Sequence, residues 1–240
     1  PLDNQGLLRA VGATSFNGAV STSAGSTLRV ESAGLTTNVT VASGFTNNGT
    51  IELTTTSGVN GVFLNVTSGT LVNAPGGAIN VLAGTGGGRV LTAQVDNQGT
   101  LFLGTALLIN KPSADHASSG TIDVSGGDLT LTQSGTTPSF TNSGALTIGV
   151  GRTMSVSGGE LIYSGGLLSG NGGLSLTSGT MTLNAGLSNA SVVLTLSSST
   201  VNGPGTLTDA AGQTLSITAC TINAPLDNQG LLLAVGATSF

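Results

Sequence analysis

The chain has 240 residues, with five basic and ten acidic side chains and a net charge of −5. So few cations leave no basic face for nucleic acid and no polybasic patch for an anionic lipid surface. Hydrophobic residues make up 38 %, too many for a disordered polar chain, yet Gly, Ser, Thr or Asn breaks every apolar run well short of the ~20 residues of a membrane-spanning helix.

The first stretch, Pro1 to Phe16, reads PLDNQGLLRAVGATSF and returns at residues 225–240 as PLDNQGLLLAVGATSF, with Leu233 where Arg9 stood. The offset of 224 residues makes residues 1–224 one long tandem repeat forming a continuous solenoid, and residues 225–240 the start of the next copy. A shorter template runs inside it: Leu2–Ala10, Phe45–Leu53, Val95–Leu103, Phe140–Ile148 and Leu226–Ala234, with weaker copies at Ala117–Val124 and Val201–Asp209. The template reads apolar, polar, Asn, polar, Gly, then an alternating apolar run. Such periods are sought before residue-level reading, because missing them miscalls the fold.

The pairs Asn4/Gly6, Asn47/Gly49, Asn97/Gly99, Asn142/Gly144 and Asn228/Gly230 read as turns, with Gly supplying a positive φ and Asn bonding its own backbone. The alternation after each turn is that of a strand with one buried face. Ile51, Leu53, Leu101, Leu103, Ile122, Val124, Leu146 and Ile148 take inward positions, and Glu52, Phe102, Asp123 and Thr147 point outward. Leu8 and Leu232 are inward by the same template, so Arg9 and Leu233 share an outward slot. Asn at equivalent positions of successive turns is expected to stack in amide ladders.

From Gly6 the template glycines are separated by 43, 50, 21, 24, 61 and 25 residues. The single steps set a coil of 22–25 residues, and the longer ones read as two, two and three coils. Nine or ten coils fill one long repeat, which gives an all-β, parallel β-helix or β-solenoid. Ser26–Ser32, Gly69–Asn73, Gly159–Tyr163 and Gly173–Leu183 are candidates for coils whose motif has decayed. Residues 109–119, INKPSADHASS, read as a loop projecting from a corner, with Lys111, Asp115 and His116 in solvent. The clusters Gly86–Gly88 and Gly172–Gly173 read as tight corners, and Cys220 as a small buried side chain. A cross-link between neighbouring chains is the alternative for that lone cysteine.

No catalytic, metal or cofactor constellation emerges. Asp123 and Asp128 are close in sequence, as paired carboxylates for a glycosidic bond would be, but Asp128 opens a different strand run and no base lies nearby. One His and one Cys make no zinc pattern. The Thr-x-Thr pairs Thr130/Thr132, Thr180/Thr182 and Thr206/Thr208 have the spacing of an ice-binding ladder, at intervals that show no coil-to-coil register. Sequons at Asn38, Asn48, Asn65 and Asn189 permit glycosylation in a suitable host.

The repeated pattern in VDNQGTLFL, FTNNGTIEL and FTNSGALTI resembles the coils of bacterial filamentous-haemagglutinin-like adhesins and autotransporter passenger domains. That resemblance covers nearly the whole chain and implies a right-handed β-helix, secreted to the cell surface, acting as a fibre or adhesin stalk without catalysis. The partners it implies are neighbouring repeats, or identical chains stacked end to end or side by side, and surface glycans. Phe102 and Leu233 are the outward apolar residues that lateral packing would use. The alternative function is a carbohydrate-binding or polysaccharide-degrading β-helix.

Overall fold

A computed structural model describes all residues 1–240. The chain winds as a three-faced β-solenoid in which every strand pairing is parallel. In the first coil, face 1 is Leu2–Asn4, face 2 is Leu7–Ala10 and face 3 is Ala13–Phe16. Val20–Thr22 then lies on face 1, and Thr27–Ala33 on face 2. Three strands, Thr37–Asn47, Val62–Asn73 and Arg89–Asn97, run from face 3 onto face 1 without a break. The only helix is one 3-10 turn, Asn189–Ser191.

Pairing register gives the coil directly. Asn4 lies against Thr22, and the same column climbs through Asn47, Asn73, Asn97, Ser118, Asn142 and Tyr163 to Leu183. There are about ten coils of about 22 residues each. The three long template steps do span two, two and three coils. The missing face-2 starts are Thr27, Ala78, Leu168 and Leu187, so of the decayed-coil candidates Ser26–Ser32 lies at such a start. Gly69–Asn73 and Gly159–Tyr163 fall on face 1 instead, and Gly173–Leu183 spans faces 3 and 1. All three faces alternate with the same period, so apolar alternation alone does not identify a face.

Every second side chain in the strands points inward, and the 47 buried apolar residues form one contiguous column from Ala10 to Ala224. The predicted inward positions Ile51, Leu53, Leu101, Leu103, Ile122, Val124, Leu146 and Ile148 all lie in it. Such burial is worth roughly 1.5–3 kcal/mol per aliphatic side chain.

The projecting loop at 109–119 is not present. Leu107–Ile109 and Asp115–Ser118 are strands on faces 3 and 1, leaving only residues 110–114 to turn the corner. Within them Ala114 is buried, and the Lys111 ammonium donates to the Val66 and Thr67 carbonyls. His116 takes an inward slot and is 4 % exposed. Charge and Pro112 suggested solvent, but period-two alternation continues through Asp115–Ser118 with only its inward residue changed.

Candidate functional site: a polar corner ladder and a hydroxyl-lined face

The corner between faces 1 and 2 is built by the Asn-x-Gly template. Asn47 Nδ2 donates to Asn73 Oδ1 at 2.9 Å, Asn73 Nδ2 to Asn97 Oδ1 at 2.8 Å, and Asn97 Nδ2 to Ser118 Oγ at 3.2 Å. Each amide also donates to a carbonyl one coil up, at Ala78, Thr100 and Thr121. Asn4 does the same to Thr27, at 3.0 Å. Asn47, Asn73, Asn97 and Asn142 are buried, so the ladder is an internal polar seam in which nearly every donor is used, as burial requires. Asn73 carries no Asn-x-Gly signal because Ala-Pro-Gly intervenes before Gly77.

The template glycines serve a different purpose from the one expected. None of Gly6, Gly49, Gly99, Gly120, Gly144 and Gly230 has a positive φ. A Cβ at Gly99 would instead collide with the Gly77 and Ala74 carbonyls, and at Gly144 with the Gly120 carbonyl. The residue must be glycine because each coil's corner backbone rests on the corner beneath it. Left-handed glycines occur at other corners, among them Gly87, where the Arg89 guanidinium is buried and donates to the Gly86, Gly87 and Leu82 carbonyls. Of the second predicted cluster, Gly172 sits tight against the Gly149 carbonyl and Gly173 begins a strand.

In the last third the polar corner moves. Asn189 and Asp209 are fully buried at the end of face 2, Asn189 Nδ2 donates to Asp209 Oδ1 at 2.7 Å, and Asn228 follows in register. Asn228 and Gly230 thus stand one corner on from Asn4 and Gly6, and Asn228 is exposed at the open edge.

Face 2 carries the two ion pairs. Arg9 and Glu31 form a two-point ion pair at 2.6 and 2.7 Å, and Arg29 meets Glu52 at 2.6 Å. The Arg9 bond holds the Glu31 carboxyl down at about 2, against the opposing effect of burial and with help from the Thr56 hydroxyl. Further up the same outward column stand Asn80, Phe102, Asp123 and Thr147. Phe102 is half-buried, its ring close to Gly104, whereas Leu233 is 49 % exposed in the last coil.

Face 3 carries hydroxyls. Thr130/Thr132 is the first of five rungs in register, followed by Ser155/Ser157, Ser175/Thr177, Thr195/Ser197 and Ser216/Thr218. These side chains are exposed or half-buried, and no protein group bonds to their hydroxyls. Rungs are ~4.8 Å apart and the two columns ~6.6 Å apart. A coil register therefore exists where the threonines alone showed none, because serine fills half the array. Thr180/Thr182 lies outside it on face 1, and Thr208 on face 2.

The acidic residues remain apart. Asp123 is on face 2 and accepts from the Ser125 amide, Asp128 accepts from the Thr153 amide at the edge of face 3, and Asp115 accepts from the Ser139 hydroxyl on face 1. No three His, Cys, Asp or Glu side chains come together as a metal site would require. His116 accepts the Val95 amide at Nδ1 and leaves Nε2 unpartnered, beside a void of about 20 Å³ lined by Leu101, Phe140 and Met154 among others. Burial pushes its pKa down to about 4, with neighbouring Asp115 acting the other way. Cys220 is buried and donates to the Thr218 carbonyl. Asn38 and Asn48 are exposed sequons, while Asn189 is fully buried in the ladder.

Comparison with protein-family models, curated proteins and solved structures finds no match to this chain. Fold and surface together define a class: a parallel β-solenoid with a buried amide ladder at one corner, ion pairs on one face and ordered hydroxyls on another.

Proposed function

We propose that this chain is a structural segment of a secreted, repetitive fibre or cell-surface stalk, of the kind built by the bacterial adhesins its coils resemble. The observation that carries the reading is the return of residues 1–16 at 225–240 on an unbroken column of parallel coils. A solenoid whose last coil repeats its first can be extended without changing its cross-section, and its stability then adds repeat by repeat. Scarce surface charge and few aromatics suit a rod that acts through length. Immunogold labelling of intact cells that make the protein tests this, with thin labelled rods expected outside the cell. Label confined to the cell interior would overturn it.

A second reading rests on face 3. Ten unengaged hydroxyls in two straight columns suit a ligand with its own regular repeat, and a crystalline polysaccharide is such a ligand. Co-sedimentation with cellulose or chitin, lost on replacing Thr177 and Thr195 by Lys, would support binding. Unchanged sedimentation of that variant would remove the face from consideration.

A further inference from the structure

The structure contains one sixteen-residue sequence, changed only at Arg9/Leu233, in two settings. Residues 1–16 show what lies above this sequence, and residues 225–240 show what lies below it. In the first copy, Leu2, Asn4, Leu8 and Ala10 are covered by Val20, Thr22, Leu28 and Val30. In the second, Leu226, Asn228, Leu232 and Ala234 rest on Leu207, Asp209, Leu215 and Ile217. The glycines tell the same story: Gly6 has open space below it, whereas Gly230 presses on the Ala210 and Gln213 carbonyls. The amide of Asn4 is satisfied by the Thr27 carbonyl above, a bond its exposed copy Asn228 lacks.

From these two halves we infer that the open edge formed by Leu226–Asn228 and Leu231–Val235 receives a segment with the sequence of residues 17–41, and that each repeat is turned by one face relative to the last. The inference rests on the fibre reading above. The turn follows from register. Face 1 ends at Thr221–Ile222, so Leu226 begins face 2, while its copy Leu2 lies on face 1. A repeat therefore comprises ten coils and one further face. Stacking joins face 3 of one repeat to face 2 of the next: Thr195, Ser216 and Leu233 lead into Arg29 and Glu52. The hydroxyl columns and the Arg29–Glu52 pair move to a new face with every repeat, whereas Leu233 in the place of Arg9 leaves the next Glu31 without that partner. The same face returns only after three repeats, an axial distance of about 150 Å. A lateral partner lying along one side would meet each feature once in that distance.

The test is a chain of two repeats, residues 1–240 followed by residues 17–240, with both copies of Cys220 replaced by Ala. Ser21 donates to Asp3 at 2.9 Å within the first coils, so Asp227 should face Ser21 of the appended repeat. Asp227→Cys with Ser21→Cys of the appended repeat should form a disulfide on mild oxidation, since adjacent parallel positions bring Cα atoms within the bridging range. Asn223→Cys with the same partner should not, because Asn223 tops the face-1 column over Asn202. Asp3→Cys with Ser21→Cys in a single repeat is the positive control. If the Asn223 variant cross-links instead, or the Asp227 variant fails to within a continuous rod of ~100 Å, the one-face turn is wrong and the rod stands. If electron microscopy shows two separate bodies of ~50 Å and neither pair links, the continuous rod fails as well.

Discussion

At the residue scale, buried polar groups decide most of what this chain depends on. Asn73 both accepts from Asn47 and donates to Asn97 and the Thr100 carbonyl. Asn73→Ala leaves Asn97 Oδ1 without its donor in a dry seam, while Asn47 keeps the Gly49 and Ala78 carbonyls, and a buried orphan costs roughly 1–3 kcal/mol. A clear drop in urea midpoint is expected, and an unchanged midpoint would mean water reaches the seam. His116 gives a pH signature with a definite sign. Its folded-state pKa of about 4 lies below the unfolded value of 6.5, so stability is full above pH ~6.5 and roughly 3 kcal/mol is lost as pH falls through ~4. Glu31, held at about 2 chiefly by Arg9, acts lower, from pH ~4.5 downward. Urea midpoints of native chain and His116→Leu between pH 7 and 4 separate the two, and a parallel loss in both would exclude the histidine. Neither group was legible in the sequence: His116 sits among charged and turn residues, and Glu31 among outward-looking polar ones. Only the stacked coil reveals their surroundings.

At the element scale, the strands were readable because period-two alternation is local, and every template strand from Phe45 to Ile148 kept its inward residues. What a single strand does not encode is which coil lies above it. The true neighbour of Thr130/Thr132 is Ser155/Ser157, which a search for threonine pairs overlooks. The corner glycines were recognisable, but their cause is contact between coils and not backbone handedness. Substituting Gly99 by Ala should therefore destabilise by pushing its coil away from the Gly77 carbonyl. Gly6→Ala, with nothing below it, should be nearly neutral in the single repeat. Equal thermal shifts for the two variants would contradict this. In the core, Leu64→Ala removes a fully buried side chain between Val39 and Leu91, and large-to-small changes of this kind cost about 2–5 kcal/mol.

At the scale of the whole molecule, the duplication was visible at once, but its geometry was not. Counting residues gave nine or ten coils, and a rounded count hides the extra face that turns each repeat. Corners differ in length, as at residues 74–77 and 82–88, so a residue count does not fix that remainder. The central claim is a rod that grows by stacking equal segments, and the direct measurement is particle length by electron microscopy for chains of one, two and three repeats. Lengths of about 50, 100 and 150 Å at constant width are expected. Widths that grow with repeat number, or lengths that do not, would contradict the account.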